Sequence, residues 1–204
     1  MGPVESTVFI VDDDPSICAA LVRLFKSVGL PARSFAGARE FLDLAPELGP
    51  GCLVLDMRLP GLSGLDLQGE LARAGIGLPI IFLTAHGSVP LSVKAMKAGA
   101  VDFLEKPVED QTLLDTVYQA LERDRQARLV QEQMKVLQER FATLTPRERQ
   151  VFQMVAAGKP NKEIAIDLGT VEKTIKVHRA NLMRKLNCQS LAELVRLAQE
   201  LETG

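Results

Sequence analysis

Residues 51–64 read GCLVLDMRLPGLSG and decide the fold of the chain. Cys52–Leu55 is a short, continuous apolar run that follows Gly51 and ends at a carboxylate, Asp56. Such a run is typical of a strand buried on both faces of a parallel sheet. An acid at the carboxyl end of such a strand lies where open α/β sheets bind their ligands. Asp56 is therefore the first candidate functional residue.

Three further apolar runs end in polar side chains. The runs and the residues that follow them are Val8–Val11 with Asp12, Asp13 and Asp14, Ile80–Leu83 with Thr84, and Val101–Leu104 with Glu105, Lys106 and Pro107. A single acid after a strand commonly just forms a turn, but four strand ends together offer acids, a hydroxyl and a lysine. This combination suits phosphoryl transfer to a carboxylate beside a divalent cation.

The first 120 residues alternate strand and helix patterns. Helical spacing or flanking stop signals predict helices over Pro15–Gly29, Ala38–Leu44, Leu62–Ala74 and Ser88–Ala98, with a weaker strand over Pro31–Phe35. Five strand–helix units in this length predict an α/β domain with a doubly wound, five-stranded parallel sheet and helices on both faces.

The remainder of the chain has a helical pattern. No Gly or Pro interrupts residues 108–145, which predicts one long helix joining two domains. Within it, Val130, Met134, Leu137 and Phe141 recur every three or four residues, a spacing compatible with packing on either domain or with a short coiled coil. A small all-α domain follows, with helical segments predicted over 146–157, 161–168, about 172–187 and 190–202.

Charge is unevenly distributed along the chain. Residues 1–120 carry 9 basic and 15 acidic side chains, whereas residues 143–204 carry 10 basic and 7 acidic ones. An acidic first domain and a mildly basic second one indicate two different partners. Three widely spaced cysteines, no apolar run long enough for a membrane span and no leader sequence predict a cytoplasmic protein without a membrane partner.

The polar groups at the strand ends match the needs of an aspartyl phosphate. Asp56 is the candidate nucleophile. Asp12 and Asp13, together with Asp56 and the backbone carbonyl of Arg58, offer the oxygen ligands that Mg²⁺ or Mn²⁺ prefers. The remaining two groups can bind the phosphoryl oxygens: Lys106 by its charge and Thr84 by a hydrogen bond from its hydroxyl.

The first domain resembles the receiver domains of two-component response regulators. The resemblance is carried by VDDD at 11–14, LDMRLPGLSG at 55–64, LTAHG at 83–87, AGAVDF at 98–103 and FLEKP at 103–107. It implies a flavodoxin-like fold over 1–121, Mg²⁺ bound through Asp12 and Asp13, and phosphate transferred from a sensor histidine kinase to Asp56. It further implies that Thr84 and Lys106 sense the phosphate and that Phe103 rotates inward on activation.

The second domain resembles the DNA-binding helix-turn-helix domains of LuxR, FixJ and NarL type. The resemblance covers about 143–202 of a domain assigned to 143–204, after a linker helix over 122–142. It is carried by LTPRERQV at 144–151, NKEIA at 161–165 and TIKVHR at 174–179. It implies that Lys176 and Val177 face DNA bases and that Asn161, Lys162 and Thr174 approach the backbone. The predicted contact set is completed by Arg179, Asn181 and Lys185.

The turn before the recognition helix departs from this pattern. Leu168-Gly169-Thr170-Val171 stands where relatives usually have Gly-Ile-Ser, so the usual serine cap is absent. A helix start needs a Ser, Thr, Asp or Asn oxygen for its free N–H groups. We therefore expect Thr170 to be the N-cap and the helix to begin at Val171; the alternative is a start without a cap.

Together the two resemblances predict a phosphorylation-activated transcription regulator rather than an enzyme. Its expected partners are a sensor histidine kinase, promoter DNA, RNA polymerase and, after phosphorylation, a second copy of the chain. A phosphatase of the haloacid dehalogenase type also phosphorylates a strand-end Asp, but it carries a second Asp where this chain has Arg58. A receiver whose output is protein binding remains the alternative, which a DNA mobility-shift experiment distinguishes.

Overall fold

A five-stranded parallel sheet organises the first half of the chain. The computed structural model describes residues 6–85 and 89–203. The strands are β1 (Thr7–Val11), β2 (Ala32–Phe35), β3 (Gly51–Asp56), β4 (Ile80–Thr84) and β5 (Asp102–Glu105). They lie in the order β2-β1-β3-β4-β5 and every neighbouring pair is parallel, which is the flavodoxin-like order. The predicted sheet is confirmed, with each strand end within one residue of its expected position.

Helices cover both faces of the sheet. They are α1 (Pro15–Ser27), α2 (Ala38–Leu44), α3 (Gly64–Arg73), α4 (Val89–Lys97) and α5 (Asp110–Ala142). Alternate strand residues point to opposite faces. Accordingly, Val8 and Ile10 share a core with α1 and α5, whereas Phe9 and Val11 share one with α2 and α3. The predicted start of the fourth helix, Ser88, lies outside the described residues.

One turn of 3-10 helix, Ala45–Glu47, follows α2 and was not predicted. Pro46 occupies its first turn. Because proline has no N–H to donate and clashes with the preceding turn, α2 ends at Leu44 and the chain tightens instead of continuing.

The central strand β3 is held at its start by a carboxylate from α5. The backbone N–H of Gly51 donates to Asp124 Oδ2 at 3.0 Å, and Asp124 is only 3% exposed. Gly51 lies opposite Thr7 in the sheet, and a Cβ at Gly51 would stand 2.0 Å from the Thr7 carbonyl oxygen. Only glycine therefore fits at this end of β3.

The chain divides into two compact units between Ala127 and Arg128, and α5 runs through the division. The second unit contains the end of α5 with α6 (Pro146–Ala156), α7 (Asn161–Asp167), α8 (Glu172–Leu186) and α9 (Leu191–Thr203). Buried side chains from all four later helices form its core. Across the described ranges, none of the helices combines the length and the apolar character that a membrane span requires.

The last apolar residues of α5 pack within the second unit. Leu137 is buried, and the Phe141 ring contacts the Phe152 ring edge-on with centroids 5.2 Å apart. Val130, at the other end of the repeat, is 62% exposed. Packing against the helical core thus accounts for the apolar residues nearest to α6.

The predicted cap of α8 is wrong. The N-cap residue is Val171, with no side-chain hydrogen bond, and α8 begins at Glu172. Thr170 instead belongs to the end of α7: its N–H donates to the Ala165 carbonyl at 2.9 Å, while the N–H of Gly169, at φ +61°, donates to the Ile166 carbonyl. This pair of bonds is a Schellman motif, which extends the end of α7 through Thr170.

We expect Val171→Ser to raise the free energy of unfolding of the second unit by about 1 kcal/mol, because a serine oxygen at the N-cap would accept from a free N–H of the first turn. Val171 is 64% exposed, so no core packing is lost. Urea unfolding followed by circular dichroism measures the change. Thr170→Ala is the matched control and should stay within about 0.5 kcal/mol of wild type. A clearly lower free energy of unfolding for Thr170→Ala, together with no increase for Val171→Ser, would contradict this account.

Candidate functional site

The carboxyl ends of β1, β3 and β5 bring two acids and a lysine together. Lys106 Nζ donates to Asp12 Oδ2 at 2.6 Å and to Asp56 Oδ1 at 2.8 Å. Asp12 and Asp56 are 4% and 8% exposed. One ammonium group therefore holds two buried carboxylates, which come from neighbouring strands of the sheet centre.

The second oxygen of each carboxylate is bound by the backbone. The N–H of Arg58 donates to Asp56 Oδ2 at 2.6 Å, and the N–H of Asp14 donates to Asp12 Oδ1 at 2.9 Å. The carbonyl of Arg58 was predicted to take part in the site, but the contact of its N–H was not. Aspartate commonly accepts from the N–H two residues later, so this signal was present in the sequence.

The other predicted receiver residues occupy different positions around this pair. Asp13 is exposed, whereas Thr84 is 1% exposed and its carbonyl accepts from the Lys106 N–H at 2.8 Å. The half-buried Phe103 ring packs beside the Phe82 ring, with centroids 6.2 Å apart. The last two residues of the LTAHG motif, His86 and Gly87, lie outside the described residues.

The loop after Asp56 returns close to its own strand. The N–H of Gly64 donates to the Met57 carbonyl at 3.1 Å, and a Cβ at Gly64 would lie 2.5 Å from the Asp56 carbonyl oxygen. Ser63 then caps α3 by accepting from the Asp66 N–H. Gly64 and the capping residue Ser63 thus hold the loop that carries Arg58 against β3.

Lys106 remains a cation in this environment. Burial lowers its pKa, but the hydrogen bonds and charges of Asp12 and Asp56 outweigh burial and raise the pKa above its usual value. A positive charge is therefore fixed beside Asp56 at neutral pH, where it can balance negative charge on an adjacent phosphoryl group.

The donor set at this edge fits a hard divalent cation. Within residues 6–85 and 89–203, no group of three His, Cys, Asp or Glu side chains is assembled as a metal cluster. Magnesium does not need such a cluster, because it keeps several waters and binds through one or two carboxylates. One oxygen of Asp12 and one oxygen of Asp56 both bind the same atom, Lys106 Nζ. Asp13, the residue after Asp12, is exposed.

In the second unit, α7, a four-residue turn and α8 form a helix-turn-helix. Ile175 and Leu182 of α8 are buried in the core, and Val177 on another face is 54% exposed. Lys176 is exposed and pairs with Glu172 at 3.1 Å. Five basic side chains and one acidic one make α8 a cationic helix suited to a DNA groove. The remaining predicted contacts, Asn161, Lys162, Thr174, Arg179 and Asn181, are all exposed or partly exposed.

Lys185 has a structural partner that was not predicted. Its Nζ donates to Glu148 Oε2 at 2.6 Å and to the Thr143 carbonyl at 3.1 Å. Glu148 is 4% exposed and forms a capping box with Thr145. Burial raises the pKa of Glu148, but the bonds from Lys185 and Thr145 outweigh burial and lower it. Lys185 thus ties α8 to α6, and its contact with DNA stays a prediction.

Two protein families match the two units. Residues 8–118 match the response regulator receiver domain, and residues 142–198 match the bacterial regulatory proteins of the luxR family. The chain belongs to the response regulator family. The luxR match covers the helix-turn-helix, so the output of this regulator is a DNA-binding domain rather than a protein-binding module.

The regulator resembles its relatives over nearly its whole length. It is 50% identical to Nodulation protein W of Bradyrhizobium diazoefficiens over 197 residues, covering 97% of this chain and 87% of the relative. The solved structure of response regulator StyR matches with a TM-score of 0.85 at 47% identity, covering 97% of this chain and all of that one. Full-length FixJ from B. japonicum matches with a TM-score of 0.60 at 40% identity, covering 99% and 100%.

The family membership confirms the predicted fold and the predicted function in outline. The regulator is a DNA-binding response regulator of a two-component system. Regulators with this output are typically not enzymes, and receiver domains generally bind Mg²⁺ at the phosphorylation site. The two domain types imply a kinase and DNA as partners.

Proposed function

We propose that phosphorylation of Asp56 by a sensor histidine kinase converts this regulator into its promoter-binding form. The observation that carries the proposal is the convergence of Asp12, Asp56 and Lys106 at one sheet edge of a chain that also carries a helix-turn-helix. We assign residues 1–121 to the receiver domain, 122–142 to the linker helix and 143–204 to the DNA-binding domain.

The contacts of Asp56 support the proposed phosphoryl transfer. One carboxylate oxygen of Asp56 bonds to phosphorus while the bond from phosphorus to the kinase histidine nitrogen breaks. Lys106 stands 2.8 Å from Asp56 Oδ1 and can move its ammonium to the arriving phosphoryl oxygens. The Arg58 N–H holds the other Asp56 oxygen, and the Thr84 hydroxyl is proposed to donate to the phosphoryl group.

Asp12, Asp13, Asp56 and the Arg58 carbonyl would hold Mg²⁺ or Mn²⁺. When bound, the cation would offset the charge of the phosphoryl oxygens.

We expect Asp13→Asn to weaken Mg²⁺ binding about tenfold, because the site loses a charged oxygen ligand. Calorimetric titration with MgCl₂ measures the affinity. Asp43→Asn, an exposed acid on α2, is the matched control; an equal loss in both variants, or no loss in Asp13→Asn, would contradict the assignment.

The proposed switch lies on the α4–β5 side of the receiver. Val89, Val93 and Met96 of α4 are 77%, 46% and 44% exposed, an apolar surface suited to a second copy of the chain. A phosphate that draws Thr84 inward would leave room for Phe103 to follow, and the changed face would then pair.

We expect wild-type protein at micromolar concentration to double its mass when acetyl phosphate and Mg²⁺ are added. Sedimentation equilibrium measures the mass with and without the phosphodonor. The Asp56→Asn protein is the control and should stay a monomer under both conditions. A wild-type mass that does not change on phosphorylation would contradict phosphorylation-dependent dimerisation.

The output step is promoter binding in the cytoplasm, followed by contact with RNA polymerase. The proposed DNA contacts are Asn161, Lys162, Thr174, Lys176, Val177, Arg179, Asn181 and Lys185. No turnover of an external substrate is expected. A mobility shift on promoter fragments tests the proposal: binding should tighten when acetyl phosphate is added, and absence of DNA binding in both states would contradict it.

A further inference from the structure

A hydrogen bond between α7 and α8 joins two residues of the helix-turn-helix. Arg179 Nη1 donates to Asn161 Oδ1. Because a guanidinium group only donates, the Asn161 atom facing it must be the amide oxygen, and the orientation of this amide is fixed. The first residue of α7 therefore holds the end of a long side chain from the recognition helix.

The position of Arg179 on α8 places it beside the exposed face rather than on it. Arg179 is four residues after Ile175 and three before Leu182, which are both fully buried. It is only partly exposed, whereas Lys176 and Val177 are exposed. A side chain at this flank is suited to a backbone phosphate beside the groove, while the exposed face meets base edges.

The bond to Asn161 leaves Arg179 able to bind an anion. Guanidinium carries five N–H donors in a rigid fork, and in the described part of the chain Arg179 has one hydrogen-bond partner, Asn161. A phosphate takes two parallel N–H donors of such a fork. Holding the fork in place before DNA arrives reduces the ordering cost of binding.

We infer that Asn161 is a positioning residue, which acts on DNA through Arg179, and that Arg179 clamps one backbone phosphate. The inference rests on the proposed function and refines it. Instead of two independent DNA contacts, Arg179 is the contact and Asn161 positions it. The two roles predict different energetics: residues that act as a unit give non-additive effects, and independent contacts give additive ones.

A double-mutant cycle on the full-length protein tests the inference. The probe is a duplex that wild-type protein enriches from a random-sequence DNA pool, with a scrambled duplex of equal length beside it. Dissociation constants are measured from 0.05 to 0.3 M salt. Thermal unfolding checks that each variant folds, which is expected because alanine is a good helix former at the first position of α7.

Arg179→Ala should weaken binding to both duplexes about tenfold at 0.1 M salt and reduce the slope of log K against log salt by about 1. Asn161→Ala should weaken binding about threefold, the ordering cost of one long side chain, and leave the slope nearly unchanged. In the Arg179→Ala background, Asn161→Ala should cause no further loss. Lys162→Ala, an exposed neighbour, is the control whose loss should persist in that background.

Two results would overturn the inference while leaving DNA binding intact. Asn161→Ala could cause the same loss with and without Arg179, which would place Asn161 itself on the DNA. It could also cause no loss in the wild-type background, which would make the hydrogen bond irrelevant. A wild-type protein that enriches no sequence, with or without acetyl phosphate, would instead refute the proposed function and this refinement together.

Discussion

The Asp56→Asn protein is expected to take up no acid-labile phosphate from acetyl phosphate, whereas wild type is labelled fully in the presence of Mg²⁺. Amide nitrogen and oxygen are poor nucleophiles, and asparagine cannot form the mixed anhydride of an aspartyl phosphate. The fold should be retained, because the amide oxygen can still accept from the Arg58 N–H and Lys106 keeps Asp12 as an acceptor. Labelling with radioactive acetyl phosphate, followed by acid treatment, measures the loss.

Asp43→Asn is the matched control for this experiment, since Asp43 is an exposed acid of the same domain. It should be labelled like wild type. Wild type in EDTA should be labelled far less than in Mg²⁺. Full labelling of Asp56→Asn, or equal labelling of wild type in EDTA and in Mg²⁺, would show that the phosphate is accepted elsewhere.

Gly51→Ala should destabilise the receiver by about 3 kcal/mol or more, since overpacking against backbone cannot be relieved by a change of rotamer. The new Cβ would lie 2.0 Å from the Thr7 carbonyl oxygen and 2.9 Å from Cε2 of Phe9. Thr7 and Gly51 are paired strand residues, so the two central strands would have to separate at this end. Thermal unfolding followed by circular dichroism measures the effect.

Gly77→Ala provides the comparison, because a Cβ at Gly77 would meet nothing within 4 Å and its φ is not positive. Its stability should stay within about 0.5 kcal/mol of wild type. A Gly51→Ala protein that unfolds at the wild-type temperature would show that β1 and β3 can move apart without cost. The same result would argue against a rigid β3 beneath Asp56.

The strand ends were predictable because the sheet is buried on both faces. Continuous apolar runs such as Cys52–Leu55 mark such strands, and each ends at the first residue that needs water or a ligand. The sheet then brings Asp12, Asp56 and Lys106 together without any further information, since carboxyl ends of parallel strands share one edge. For these three residues, a place directly after a strand in the sequence is enough to predict that they lie together at one edge of the sheet.

The cap of α8 could not be predicted from local residue types. Thr170 has the side chain of a capping residue, but its backbone is already committed to the Schellman motif that ends α7. The competition between two adjacent helix ends for one residue is decided by backbone geometry. The sequence sign of that outcome was the glycine at position 169, because glycine readily adopts the positive φ that the structure shows there.

Long-range polar pairs were equally hidden from the sequence. Lys185 looked like a DNA contact because it lies in a basic segment, and its partner Glu148 is 37 residues away. Asp124 lies in the predicted linker helix over 122–142, yet it is buried against Gly51, 73 residues away. No periodicity relates such positions, so only the packed structure identifies them.

The bond between Asp124 and Gly51 has a consequence for grafting this receiver onto other output domains. A fusion joined at residue 121 would discard Asp124 and leave the buried Gly51 N–H without its acceptor. A chimera joined after residue 127 would keep it. The exchangeable receiver segment is therefore longer than the receiver motifs suggest. Fusions that differ only in the presence of residues 122–127 should differ in soluble yield and melting temperature.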